Sequence, residues 1–137
     1  MRTSLPIAAC LVIFATAVGG QSDITGRWRI DPPSTDGQEV VFDLSVDGDR
    51  VTGTVGQSFM NVPIVSAAVY DGRREGNLVT FKARSPDGDR SVTFTGTAQG
   101  DEIAFTRVVE VRPGGRPGGL GILGVGGPPR FSVKRVK

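Results

Sequence analysis

Histidine is absent from this sequence of 137 residues, and its single cysteine is Cys10. The side chains that most often serve as bases and nucleophiles near neutral pH are therefore missing or confined to the first stretch. Zinc-type donor sets built from His and Cys are excluded with them. Charge of one sign is also scarce: 16 basic and 14 acidic side chains leave a net +2, which is not the balance of a nucleic-acid-binding protein. Only one long apolar run exists, Leu5 to Val18. Arg2 precedes it and the small residues Ala15-Thr16-Ala17 and Gly19-Gly20 follow, the pattern of a cleaved secretory signal. Such a run is too short to span a bilayer permanently.

Residues 1–20 are accordingly read as a signal peptide and residues 21–137 as one mature domain, exported to the periplasm or the medium, with no integral membrane segment. Ile7-Ala8-Ala9-Cys10 resembles a lipobox, and a lipid on Cys10 would tether the protein. That cleavage would leave most of the apolar run on the mature chain as an exposed tail. The alternative is a cysteine discarded with the signal, which leaves a mature chain without disulfides or thiol chemistry.

What the sequence has in quantity is glycine, 20 residues, and short runs of period two. Ile24 to Ile30 alternates into a first strand, broken by Asp31-Pro32-Pro33-Ser34-Thr35-Asp36-Gly37. Val40, Phe42, Leu44 and Val46 line one face of a second, and Asp47-Gly48-Asp49 returns the chain through Val51, Gly53 and Val55. A looser stretch from Gln57 to Pro63 leads to a strand around Ile64 to Tyr70, with Asp71-Gly72 and Gly76-Asn77 marking the next reversal. Val79, Phe81 and Ala83, then Val92, Phe94, Gly96 and Ala98, then Ile103 and Phe105 give three more inward faces. The last of these strands extends toward Val111. Phe131 to Val136 closes the series by pairing with the first. The expectation is an all-β, eight-stranded antiparallel up-and-down barrel, with a Gly/Pro-rich loop at 112–129.

Gly26-Arg27-Trp28 at the start of such a meander resembles the Gly-x-Trp of the calycin barrels, which include lipocalins, fatty-acid-binding proteins and avidins. In that group the Trp plugs one barrel end beneath a late basic side chain, so the resemblance implies a plug of Gly26, Trp28 and a cation, Arg135 foremost, with Arg107 and Lys134 as alternatives. Ile24 to Trp28 together with Val51-Thr52-Gly53-Thr54-Val55 is similar to the opening of the avidins. Ile30 and Val55 stand where that family places its biotin-binding Asn and Tyr, which argues against biotin. Thr52 to Val55, Phe94-Thr95-Gly96 and Phe131-Ser132-Val133-Lys134-Arg135 also resemble phrases of small, uncharacterised exported bacterial lipocalin-like proteins, a likeness that implies no activity.

The acidic residues fall at hairpin tips, Asp47/Asp49, Asp71, Asp87/Asp89 and Asp101/Glu102, where turn geometry accounts for them better than catalysis or calcium binding. The chain is expected not to be an enzyme and to need no metal or cofactor. Arg107 is the residue that alternation makes unusual, because Ile103 and Phe105 inward place it inward too, where a charge must be paired or solvated. It either awaits an anionic ligand group, stacks on Trp28, pairs internally, or is turned out by a bulge. Tyr70 either offers a hydroxyl at a barrel mouth or caps a strand end. Leu120 to Val125 is an apolar lid or a low-complexity insertion. After Thr106 seven basic residues face one acid, Glu110, so that segment is +6 (7 minus 1). The expected function is sequestration of a small apolar or amphipathic molecule by Arg107, Tyr70, Phe105, Phe94 and Phe81. The alternative is a ligand-free accessory module that meets a protein or glycan through its loops and basic C-terminal segment.

Overall fold

A computed structural model describes residues 23–32, 37–118 and 121–137; the signal-peptide reading and Cys10 lie outside the described residues. Eight strands follow in order: β1 Gly26–Asp31, β2 Gln38–Asp47, β3 Arg50–Phe59, β4 Val62–Glu75, β5 Leu78–Arg84, β6 Arg90–Gln99, β7 Glu102–Val111 and β8 Arg130–Arg135. Each pairs antiparallel with its sequence neighbours, and β8 pairs with β1, so the sheet is a closed barrel. The antiparallel eight-stranded barrel expected from alternation is the fold.

Period-two burial runs through the wall. Val40, Phe42 and Leu44 of β2, Val51 and Val55 of β3, Val79, Phe81 and Ala83 of β5, Val92, Phe94 and Ala98 of β6, and Ile103 and Phe105 of β7 are all buried, and their chain neighbours face outward. In a barrel of this strand number the interior is just wide enough for side chains to fill it. Phe42 stacks on Phe105 and Phe131 at centroid distances of 5.4 and 5.8 Å, Phe81 stacks on Phe94 at 5.2 Å, and Phe42 meets Phe94 edge-on at 5.5 Å. These spacings leave no slot for a further ring between them, and the offset and edge-on arrangements are the ones aromatic quadrupoles favour.

The reversal expected at Asp71-Gly72 is not a turn. Asp71 and Gly72 sit inside β4 as a bulge, with Asp71 at a φ of 52° and the ladder to β5 slipping between Tyr70 and Arg73. The backbone of β3 comes so close here that a Cβ on Gly72 would stand 2.0 Å from the Val51 carbonyl oxygen, so only glycine fits. The turn itself is at Gly76-Asn77. The looser stretch after Gln57 is likewise strand to Phe59, and the chain reverses at Met60 and Asn61, both with positive φ as a two-residue hairpin turn demands.

Gly96 opposes Phe105, and a Cβ on it would lie 2.6 Å from the Phe105 ring. The missing side chain on β6 is what admits the ring on β7. Gly96→Ala is therefore expected to overpack the core and cost about 1–3 kcal/mol, measured by urea denaturation. Gly56→Ala on β3, where a Cβ would meet nothing nearer than the Val41 carbonyl oxygen at 3.7 Å, should cost less than Gly96→Ala.

Candidate functional site

The barrel has two ends, and both are closed by arginine. At the end carrying the β2–β3, β4–β5 and β6–β7 turns, the Arg135 guanidinium carbon lies 4.3 Å from the centroid of the Trp28 ring. Trp28 is fully buried and its indole N–H donates to the Ile24 carbonyl at 2.9 Å. Arg135 is pinned by its Nε–Asp101 Oδ1 contact of 3.1 Å and by donation to the carbonyls of Thr25 and Asp23. Gly26 leaves the space: a Cβ there would stand 2.9 Å from the Arg135 guanidinium. Arg107 is at the opposite end, and Lys134 pairs with Asp31 at 3.3 Å, so neither takes the plug position.

The opposite end is covered by the Gly/Pro-rich loop. Arg107 does point inward, with only 7% of its surface exposed, and burial lowers its pKa from the ordinary arginine value. An arginine stays charged in a protein, so its donors must be answered. They are answered by main chain: Nε donates to the Pro128 carbonyl at 2.9 Å, and one terminal nitrogen donates to Ile122 and Gly124 carbonyls at 2.8 Å each. The loop carries Ile122 and Leu123 down into the hydrophobic core, where both are buried. Proline and glycine suit this role because tight turns aim successive carbonyls at one point, and the Ile122-Leu123 pair supplies the apolar face.

Three further residues fasten the loop; from the sequence Asp89 is named as a turn residue, and no role is assigned to Arg90 or Gln57. Arg90 donates through Nε to the Leu123 carbonyl at 2.7 Å and through a terminal nitrogen to the Arg116 carbonyl at 2.8 Å. The Gln57 side-chain oxygen accepts the Ile122 N–H at 3.1 Å. Asp89 accepts the Arg116 N–H at 2.9 Å and holds Arg112 at 2.6 Å, so this hairpin-tip acid is an anchor as well as a turn residue. Alternation run one step outward from Val55 and from Val92 points Gln57 and Arg90 inward, the same reasoning that selected Arg107.

Phe81, Phe94 and Phe105 are inward as expected, and they spend their surface on one another. Tyr70 stands elsewhere. Val65, Ala67 and Val69 face the core, which turns Tyr70 to the outer wall, where its hydroxyl bonds Ser91 Oγ at 2.6 Å beneath Arg84. It is not brought together with Arg107 or the Phe cluster.

No family model, curated protein or solved structure matches this chain. Its chemistry must be argued from its own geometry.

The described surface carries several clefts. One of about 690 Å³ is lined by Asp49, Arg50, Thr52, Tyr70, Asp71 and Arg73 around the β4 bulge, and one of about 260 Å³ by Arg29, Gln38, Glu39, Met60 and Asn61. Among the described residues no group of three or more acidic side chains converges where a metal ion could sit. The basic C-terminal segment is partly neutralised: Arg112 pairs with Asp89, Lys134 with Asp31, and Arg135 and Lys137 with Asp101. Among the described residues the side chains of Arg107, Arg116 and Arg130 have no carboxylate partner.

Arg107→Met removes the donors of two buried carbonyls, Ile122 and Gly124, and of the part-buried Pro128 carbonyl, and hydrogen bonds to a charged group contribute about 1.5–3 kcal/mol, so a stability loss of at least that size is expected in chemical denaturation. Arg107→Lys should recover part of it. Acid should act through carboxylates at both ends of the barrel. The Ser85 hydroxyl, the Asp89 N–H and Arg90 hold Asp87 down at about 2, and Asp89 and Asp101 are lowered too, by the Arg116 N–H and by Lys137 and Arg135 respectively. Carboxylates depressed on folding stabilise above their unfolded pKa of about 3.9 and lose that contribution as pH falls through the folded value. With no histidine to titrate, Tm should be nearly level from about pH 5 to 7 and drop from about pH 4 toward pH 2, less steeply in Asp87→Asn.

Proposed function

We propose that this is an exported β-barrel that works as a ligand-free interaction module, presenting its loops and outer wall to a protein or glycan and turning nothing over. One observation carries the reading: the place a lumen ligand would take is occupied by the protein itself. Ile122 and Leu123 fill the apolar mouth, and the Pro128, Ile122 and Gly124 carbonyls take the Arg107 donors that would have met an anionic head group. Below them five phenylalanines pack ring to ring, and Trp28 under Arg135 closes the far end.

A second reading rests on the chemistry of those same bonds. Every acceptor of Arg107 is a neutral carbonyl, and a carboxylate is the stronger partner for a guanidinium. A small amphipathic acid that displaced the loop would exchange three neutral hydrogen bonds for an ion pair and make the barrel a carrier. Repacking of Ile122 and Leu123 opposes it.

Native mass spectrometry of the protein from its exported fraction, with organic extraction, separates the two. The module reading expects the apo mass and no Tm shift with a panel of fatty acids, aromatic acids and sugars. A discrete co-purifying molecule that disappears in Arg107→Leu would replace it with the carrier reading.

A further inference from the structure

The β3–β4 hairpin reaches beyond its neighbour. β4 pairs with β3 from Phe59↔Val62 onward, but the ladder from β4 to β5 begins only at Val69↔Ala83. Among the described residues no strand pairs with the other edge of β4 from Val62 to Ala67, and no turn or loop backbone bonds to it. An edge of this kind is a row of N–H and C=O groups ready to pair.

Its side chains do not protect it. From Val51 to Tyr70 there is not one Asp, Glu, Lys or Arg, in a chain of which 22% is charged. The tip is apolar and exposed: Phe59 42%, Met60 65%, Val62 62% and Ile64 58%. Soluble proteins usually guard open edges with charge, most often lysine, or with proline. Here Pro63 is the single guard.

Three occupants could cover such a surface, and the geometry ranks them. A bilayer would take Phe59, Met60, Val62 and Ile64, but it would strand the open N–H and C=O groups of the edge in hydrocarbon, where each costs several kcal/mol. A foreign strand would satisfy the backbone, yet no charge or pocket along the edge selects one. A second copy of this chain satisfies the backbone and meets the further demand that a two-fold contact be self-complementary. Antiparallel pairing about a two-fold axis sets each position opposite one of the same short segment, and an uncharged run has no like charges to oppose in any register.

We propose that two copies of this protein join edge to edge through β4, residues Val62 to Ala67, so that the two sheets become continuous and the apolar tips bury each other. This rests on the reading that the protein acts through its outer surface, and it does not depend on what the lumen holds. The test is sedimentation equilibrium of the exported protein across a thousandfold concentration range, with Ile64→Lys and a control, Val108→Lys, at an equally exposed apolar position on β7. The expected result is a dimer whose dissociation constant rises at least tenfold in Ile64→Lys and is unchanged in Val108→Lys, with both variants melting as the parent does at concentrations below the parent's dissociation constant. A monomer at every concentration overturns the proposal, as does a dimer indifferent to Ile64→Lys. Flotation of a monomer with phosphatidylglycerol vesicles, lost in Ile64→Lys, would overturn it in favour of a membrane partner. Native mass spectrometry for bound small molecules decides the ligand-free reading separately, so the two can fail independently.

Discussion

A guanidinium inside a barrel must have its donors answered, and the upper half of this molecule is arranged around that requirement. Strict alternation on β7 sends Arg107 inward after Ile103 and Phe105. An isolated charge there would be too costly to bury. The chain answers with carbonyls from its own last connection, and the same connection brings Ile122 and Leu123 into the core. Arg90, Gln57 and Asp89 repeat the device on either side, each bonding loop backbone. The Gly/Pro segment is thus part of the core as much as any strand, although it has no regular structure of its own.

The two ends solve one problem by different means. At the far end an indole ring closes the floor and Arg135 lies over it, a cation on an aromatic face held by Asp101 and two carbonyls. At the near end the lid is backbone gathered by Arg107 and Arg90. Between them the aromatic cluster needs Gly96 to admit Phe105. Filling and closure together shift attention from the lumen to the exterior, where the bulged cleft beside Tyr70 and the uncharged β4 edge are the features a partner would meet.

Much of this was legible in the sequence because burial in a closed sheet writes itself with period two. The inward sets of β2, β5, β6 and β7 followed from alternation alone, as did the inward placement of Arg107 and the closure of the ring by the last strand. Asp71-Gly72 misled because the same dipeptide that makes a hairpin turn also makes a bulge: both need a positive φ beside a glycine, and only the partner strand distinguishes them. The role of Ile122 and Leu123 was open because a loop has no periodicity to orient it. Gln57 and Arg90 were legible in principle, one alternation step beyond the residues chosen, but each adjoins a segment read as turn. Tyr70 was misplaced because a bulge one residue later hid which face it occupied.

Whether the loop is fixed in the mouth in solution decides between a closed and an open barrel. The Ile122 amide reports this directly, since it lies in no strand and its partner is the Gln57 side chain. Amide hydrogen exchange followed by NMR at pH 6 should find Ile122 protected to the same order as the strand amides of β6 and β7. Exchange at the rate of an unstructured peptide would mean that the mouth is open and that Arg107 is not held by the loop.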